Sequence, residues 1–170
     1  AVATGVKRSN PDKFVFTYQG DGDLAAIGTA ETVHVGARGE NIVVIFINNT
    51  IYGMTGGQMA PTTLLGQVTQ TTPFGRDAQL AGNPIRVCEM MATLSGTALA
   101  QRVAVDTVPH IRETKKAIRK AFENQKEKRG LSIVEVLSTC PTNWGLSPID
   151  AIKRLQDEMI PYYPLGVYKD

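Results

Sequence analysis

The chain has 170 residues, which is enough for one hydrophobic core and too few for two ordinary domains. With 42% apolar and 20% charged residues, it has the composition of a globular protein rather than of a disordered one. The net charge is +2, although residues 112–129 alone carry eight positive and three negative charges. One basic helix face is more typical of a solvated surface than of a nucleic-acid track, so we predict no nucleic-acid partner.

No segment approaches the roughly 18 uninterrupted apolar residues of a membrane span, and no secretory leader opens the chain. We therefore expect a cytoplasmic protein without a membrane partner. A chain of this size needs no disulfide, so Cys88 and Cys140 are predicted to be free thiols. Residues 1–7 form a helix-like run without a start signal, which predicts that an upstream segment is missing.

Strand and helix patterns alternate along the chain. The strands are predicted at residues 13–19, 41–47, 98–105 and 131–137, and the helices at residues 23–38, 84–94, 109–128 and 147–160. Apolar runs such as residues 41–47 are typical of strands that are buried on both faces. The pattern predicts a single α/β domain over residues 1–170, with a mainly parallel sheet in a three-layer α/β/α arrangement.

Residues 48–76 form the longest segment without a sustained period. They include five Gly, two Pro and seven Thr. A loop of this length inside a compact domain is usually functional or mobile, so we expect it to contribute to a site. Arg76 at its end is predicted either to contact an anionic substrate or partner, or to pair with Asp77.

Two polar motifs follow the first two predicted strands. Gly20-Asp21-Gly22 follows the first, Asn48-Asn49 follows the second, and 25 residues separate Gly22 from Asn48. A parallel βαβ crossover brings both motifs to the same edge of the sheet, where α/β proteins bind ligands. Asp21 and Asn49 can then share a Mg²⁺ ion, which prefers such oxygen ligands together with diphosphate oxygens. The glycines and the following helix N-terminus suit an anion.

A second interpretation of the first motif is a dinucleotide site, because Gly20, Gly22 and Ala25 also fit the relaxed dinucleotide fingerprint. Asp21 would repel a bare pyrophosphate, and the second strand lacks the acidic residue that binds ribose. These features favour a metal–diphosphate site. The alternative that stays open is a non-catalytic nucleotide- or metal-binding α/β module.

The GDG and NN motifs, together with the strings TGGQ, TTPFGRD and TCPTNW, resemble the β subunit of 2-oxoacid:ferredoxin oxidoreductases in the 2-oxoisovalerate and 2-oxoglutarate branch. The resemblance implies the thiamine diphosphate-binding fold. It also implies oxidative decarboxylation of a 2-oxoacid to an acyl-coenzyme A, with electrons passed to ferredoxin. The implied partners are α, γ and δ subunits, ferredoxin, a 2-oxoacid and coenzyme A.

The resemblance also implies particular site residues. Mg²⁺ is expected to bind Asp21, the Asn49 side chain and the backbone carbonyl of Ile51, and Met54 and Gly56 are expected to face the substrate. Gly56 replaces a lysine of some relatives, which favours 2-oxoisovalerate. No residue of this chain is expected to be catalytic, and the isolated chain is expected to be inactive, because the glutamate that contacts the aminopyrimidine comes from elsewhere. The expected cofactor contacts are Gly20, Asp21, Gly22, Asp23, Asn48, Asn49, Tyr52, Gly53, Met54 and Thr55.

The two cysteines have different expected roles. In the resembled family, the position of Cys140 supplies the fourth ligand of a [4Fe–4S] cluster, and the other three ligands come from a segment before residue 1. One thiolate cannot hold such a cluster, so we expect the cluster in the full-length subunit only. Cys88 is predicted to be a packing residue.

Overall fold

The computed structural model describes all 170 residues, from Ala1 to Asp170, and one five-stranded sheet organises them. The strands are β1 (Phe16–Gln19), β2 (Val43–Asn48), β3 (Thr97–Ala104), β4 (Leu131–Leu137) and β5 (Gly166–Lys169). They lie in the order β1-β2-β4-β3-β5. The pairs β1–β2, β2–β4 and β4–β3 are parallel, and only β5 is antiparallel. The predicted mainly parallel α/β fold is confirmed.

Eight α-helices and two π-helical turns connect and flank the strands. The helices are α1 (Val2–Ser9), α2 (Thr29–Arg38), α3 (Ala78–Ala81), α4 (Val87–Ala92), α5 (Val108–Lys126), α6 (Pro141–Trp144), α7 (Pro148–Arg154) and α8 (Ile160–Tyr162). A π-helical turn at Asp23–Ile27 precedes α2, and another at Leu155–Met159 joins α7 to α8. The predicted helix over residues 23–38 therefore begins with a wide turn. An added Cβ at Gly28 would lie 2.2 Å from the Asp23 carbonyl oxygen, so only glycine fits there.

Helices cover both faces of the sheet because successive residues of a strand point to opposite faces. On one face, Val44 and Phe46 of β2 belong to the core cluster that includes residues of α2 and α4. On the other face, Val43 and Ile45 pack in a cluster with Ala117 of α5. The connections from β1 to β2 and from β2 to β3 run in one direction across the sheet, and the connection from β3 to β4 runs in the other. Because such crossovers are right-handed, α5, which joins β3 to β4, lies on the face opposite to α2 and α4. Each large apolar side chain that is fully buried contributes about 1.5–3 kcal/mol.

Several features of the fold differ from the predictions. Strand β1 begins only at Phe16, and the sequence did not predict β5, α3 or α6. Strand β5 has four residues on the edge of the sheet, too few to show a period. The cysteines are free, and Cys88 is buried, as predicted. None of the helices is long and apolar enough to cross a membrane.

Candidate functional site

The carboxyl ends of β1 and β2 meet at one edge of the sheet. The two strands pair in parallel, with Gln19 opposite Phe46. The turn after β1 therefore lies against the turn after β2, and the backbone N–H of Asn49 donates a hydrogen bond of 3.4 Å to Oδ1 of Asp21. The proximity of Asp21 and Asn49 that the spacing predicts is observed.

Asp21 is a buried carboxylate without a cationic partner. It is only 3% exposed, and it takes part in no ion pair of the chain. Burial raises its pKa to about 7, although hydrogen bonds from the Thr62 hydroxyl and the Asn49 N–H lower it. Because an uncompensated buried charge is unfavourable, the environment of Asp21 suits a bound cation.

The turn after β2 places two neighbouring amides in different surroundings. Asn48 is fully buried, its Nδ2 donates to Glu135 at 2.7 Å, and its Oδ1 accepts from the Thr50 N–H at 3.1 Å. The Asn48 side chain is therefore engaged inside the protein. Asn49 Oδ1 accepts a hydrogen bond of 3.2 Å from the Ile51 N–H. The carbonyl oxygen of Ile51 accepts no hydrogen bond, although the residue is only 1% exposed.

Residues 52–58 form a narrow hairpin in front of this turn. The Tyr52 N–H donates to the Gln58 carbonyl at 3.0 Å, and the Gly57 N–H donates to the Tyr52 carbonyl at 2.8 Å. Met54 at the tip is fully exposed, and Gly56 has a φ of +108°, which favours glycine. An added Cβ at Gly22 would lie 3.4 Å from the Tyr52 ring, so the first motif borders this hairpin.

The turn that contains Cys140 supports the same hairpin. Asn143 Nδ2 donates to the Gly53 carbonyl at 2.9 Å and contacts the Cys140 Sγ at 3.2 Å. The sulfur also lies 3.5 Å from the place that a Cβ of Gly53 would occupy. The predicted cluster ligand and the predicted cofactor loop are therefore neighbours.

Comparison with known proteins identifies the domain. Residues 1–136 match the family described as thiamine pyrophosphate enzyme, C-terminal TPP binding domain. The chain belongs to the thiamine pyrophosphate enzyme family. The turns that hold Asp21, Asn49 and Gly53 all lie within the matched residues.

Individual relatives of this thiamine pyrophosphate enzyme domain are oxidoreductase subunits. The chain is 46% identical over 170 residues to ketoisovalerate oxidoreductase subunit VorA of Methanothermobacter thermautotrophicus, and covers 100% of itself and 36% of that subunit. It is 39% identical over 165 residues to 2-oxoglutarate synthase subunit KorB of Methanocaldococcus jannaschii, and covers 94% of itself and 57% of that subunit. The predicted resemblance to β-type subunits of 2-oxoacid:ferredoxin oxidoreductases is confirmed.

A solved structure shows the same fold. The 2-oxoglutarate:ferredoxin oxidoreductase from Magnetococcus marinus, with 2-oxoglutarate, coenzyme A and succinyl-CoA bound, superposes with a TM-score of 0.72 at 28% identity. The match covers 92% of this chain and 48% of that chain. The chain thus spans about half or less of that structure and of VorA, and somewhat more than half of KorB.

Three polar residues of the long loop support the site, and the sequence did not single them out. The Thr62 hydroxyl donates to Oδ2 of Asp21. The Thr63 hydroxyl and Gln67 Nε2 donate to the Thr50 carbonyl at 2.6 and 3.0 Å. The only available signal was the seven threonines of residues 48–76, which did not show which hydroxyl reaches which partner.

Arg76 has a structural role that neither prediction anticipated. It is 5% exposed, and its guanidinium donates only to backbone carbonyls, which belong to the loop and to the end of α3 and the residues after it. Asp77 instead caps α3 by accepting hydrogen bonds from the N–H groups of Gln79 and Leu80. Both predictions for Arg76 are therefore wrong, because its donors stabilise the loop. The accepting carbonyls belong to Ala60, Pro61, Thr63, Ala81, Gly82 and Asn83.

Proposed function

We propose that this chain binds the Mg²⁺ and diphosphate of thiamine diphosphate in the β subunit of a 2-oxoacid:ferredoxin oxidoreductase. The observation that carries the proposal is the buried Asp21 carboxylate, which lies beside Asn49 and pairs with no cationic side chain, in a thiamine pyrophosphate enzyme domain. The whole enzyme would oxidatively decarboxylate a 2-oxoacid to an acyl-coenzyme A and pass the electrons to ferredoxin. The names of the related subunits support a 2-oxoacid substrate, and the related solved structure, a 2-oxoglutarate:ferredoxin oxidoreductase with coenzyme A bound, supports the roles of ferredoxin and coenzyme A.

The donor set fits a magnesium ion. Asp21 provides a carboxylate, Asn49 an amide oxygen and Ile51 a backbone carbonyl, and all three are hard oxygen ligands. The Ile51 carbonyl is an acceptor without a hydrogen bond in a buried residue, which is unfavourable unless a ligand reaches it. We propose these three as the protein ligands of Mg²⁺.

The proposed diphosphate contacts surround this set. Gly20 and Gly22 leave the backbone free of side chains, and the Gly20 N–H donates to Asp23 Oδ2 at 3.0 Å, which closes the turn. Thr55, next to the tip of the hairpin, hydrogen-bonds the Gln58 side chain. Bound thiamine diphosphate supplies the carbanion chemistry that decarboxylates 2-oxoacids, while these residues hold and orient it.

Tyr52, Gly53 and Met54 are proposed to border the thiazolium, with Met54 and Gly56 facing a branched substrate such as 2-oxoisovalerate. An added Cβ at Gly56 would meet only Gln58 Nε2 within 4 Å, so the site there is open and uncharged. The intact enzyme should turn over 2-oxoisovalerate better than 2-oxoglutarate, and Gly56→Lys should shift the ratio toward 2-oxoglutarate. Gly82→Lys, which also replaces a positive-φ glycine in open space, is the matched control. A wild-type preference for 2-oxoglutarate would contradict the substrate proposal.

We further propose that Cys140 ligates a [4Fe–4S] cluster in the full-length subunit, where other residues complete the ligand set. Its position against Gly53 supports this role, because it would place the cluster near the cofactor loop. The proposed partners are the α, γ and δ subunits, ferredoxin and coenzyme A.

Isothermal titration calorimetry tests the cofactor assignment. The chain and its Asp12→Ala variant, which changes an exposed carboxylate, should bind thiamine diphosphate only with Mg²⁺, and Asp21→Ala should not bind it. The same titration with ADP and Mg²⁺ should give no heat of binding. Tight binding of ADP instead would favour the alternative nucleotide-binding module, and binding of neither ligand would refute the proposal.

A further inference from the structure

A buried network of hydrogen-bonded charged and polar side chains extends from the core to the turn after β2. Glu135 of β4 accepts a hydrogen bond of 2.9 Å from Arg102 Nε through one carboxylate oxygen. Its other oxygen accepts the 2.7 Å hydrogen bond from Asn48 Nδ2. Arg102 lies directly opposite Glu135 on the neighbouring strand β3, whereas Asn48 ends β2 on the other side of β4, opposite Leu137. Arg102, Glu135 and Asn48 are completely buried.

At one end of this network, Arg102 is held by several further contacts. Its guanidinium donates to Glu89 at 3.1 Å and to the Tyr168 hydroxyl at 2.6 Å, and its Cζ lies 5.1 Å from the Tyr163 ring centroid. Removing two charges from water is costly, and well-packed apolar residues are often equally stable at such positions. Stability of the core alone therefore does not explain why an ion pair stands here.

At the other end, Glu135 determines which way the Asn48 amide points. A carboxylate that receives a hydrogen bond from Asn48 can only accept, so it must face the NH₂ group. The amide oxygen is then directed to the Thr50 N–H, which can only donate, at 3.1 Å. With the amide reversed, the NH₂ group would face another donor, and the turn would lose this hydrogen bond.

The turn that Asn48 holds is strained. Thr50 has a φ of +60°, which is uncommon for a β-branched residue. Strain of this kind persists where the surroundings over-determine the backbone, and it is concentrated at functional sites. Asn48 fixes the N–H of Thr50, while Thr63 and Gln67 fix its carbonyl.

Thr50 lies between two proposed magnesium ligands, Asn49 and Ile51. A change in its backbone would move both the Asn49 side chain and the Ile51 carbonyl. We infer that Glu135 is a positioning residue for the magnesium–diphosphate site, which acts by orienting the Asn48 amide and thereby holding the turn of residues 48–51. This inference rests on the proposed function of that turn.

The variant Glu135→Gln tests the inference, because the replacement keeps the shape of the side chain and adds a donor. The introduced amide can satisfy either Arg102 or Asn48, but its NH₂ group then faces a donor of the other residue. We expect the turn to loosen and the Kd for Mg²⁺, measured in the presence of thiamine diphosphate, to rise at least tenfold. The protein is the full-length subunit in its natural complex, titrated well below the thermal midpoint of each variant.

A double variant provides the rescue. In Arg102→Gln with Glu135→Gln, an amide oxygen replaces Arg102 Nε at the same distance along the side chain. The amide that replaces the Glu135 carboxylate can then donate to this oxygen and accept from Asn48, so the original orientation of the Asn48 amide is restored without any charge. The Kd should return to within about threefold of wild type, even where the thermal midpoint does not recover.

Glu89→Gln is the matched control, since it weakens the same ion pair cluster from the side of Arg102 that does not reach Asn48. It should lower the thermal midpoint and leave the Kd unchanged. Equal Kd values for wild type and Glu135→Gln, or equal weakening by Glu89→Gln, would overturn the inference. If Glu135→Gln does not fold, a double variant that folds and binds weakly would overturn it as well. Absence of Mg²⁺ binding to the wild-type complex would instead refute the proposed function itself, and the inference with it.

Discussion

Asp21 and Glu135 are both buried carboxylates close to the turn after β2, but their surroundings differ. Glu135 is compensated by Arg102 and hydrogen-bonded to Asn48, so its charge is satisfied within the chain. Asp21 has only neutral hydrogen-bond donors, from Thr62 and Asn49, and burial raises its pKa to about 7. The charge of Glu135 is therefore compensated by the chain's own side chains, whereas the charge of Asp21 is not.

The difference supports the proposed roles of the two groups, a structural one for Glu135 and a ligand-binding one for Asp21. A buried charge without a compensating partner is unfavourable for folding, and perturbed groups of this kind are concentrated at functional sites. We infer that the compensated Glu135 supports the site of Asp21, because it holds the turn that carries the other two proposed magnesium ligands. Changes to either carboxylate, or to the groups that contact it, therefore test the difference between Asp21 and Glu135.

The largest stability effect is expected when Glu135 loses its cation. Arg102→Met leaves a buried carboxylate uncompensated, and we expect the free energy of unfolding to fall by about 3–5 kcal/mol. Urea denaturation at pH 7 measures the change. Lys116→Met is the control, because it removes one arm of the exposed ion pair with Glu113, where the expected loss is below about 1 kcal/mol. Equal losses in the two variants would show that the buried pair is not special.

The opposite change is expected at Asp21. Asp21→Asn removes the uncompensated charge while keeping the shape, so the metal-free chain should become more stable at pH 8 by about 2–4 kcal/mol. Binding of Mg²⁺ with thiamine diphosphate should weaken at least a hundredfold in the same variant. Asp12→Asn, at an exposed position, should change neither quantity. A less stable Asp21→Asn variant would contradict the view that Asp21 is uncompensated in the metal-free chain.

Thr62 provides an intermediate effect. Its hydroxyl donates to Oδ2 of Asp21, so Thr62→Val leaves the buried carboxylate with one donor fewer. We expect a loss of about 1–3 kcal/mol in the metal-free chain, and a smaller loss for Thr62→Ser, which keeps the hydroxyl. In the Asp21→Asn background, Thr62→Val should lose less, because no charge depends on the hydroxyl. An equal loss of stability in that background would show that the Thr62 hydroxyl does not stabilise the charge of Asp21.

The sequence predicted the position of the site because it depends on topology. The βαβ crossover brings Asp21 and Asn49 to one edge, and that requires only the strand order and the spacing of the motifs. The roles of Thr62 and Arg76 were not predictable in this way. They depend on the path of a loop without a period, in which a hydroxyl or a guanidinium can reach many partners.

The sequences of strands β3 and β4 contain a signal of the ion pair between Arg102 and Glu135. Glu135 interrupts the apolar run of β4, and Arg102 lies within the largely apolar β3, so two opposite charges occur in strands that are buried on both faces. Such charges must be paired. That they pair with each other follows only from the order β2-β4-β3, which makes the two strands neighbours and which no local pattern specifies.

The smallest expected effect concerns Glu89, which contacts the outer side of Arg102. Burial alone would raise the pKa of Glu89, but the hydrogen bond and charge of Arg102 outweigh burial and hold that pKa below its ordinary value of 4.5. Its contribution to stability is therefore present above pH 4.5 and is lost as the pH falls through and below that value. When the pH is lowered from 6 to 4, the free energy of unfolding, measured by urea denaturation, should fall less in Glu89→Gln than in wild type. In Glu31→Gln, which changes an exposed position on α2, it should fall as much as in wild type. An identical fall in the free energy of unfolding in wild type and Glu89→Gln would show that Glu89 adds no stability beyond that of the ion pair between Arg102 and Glu135.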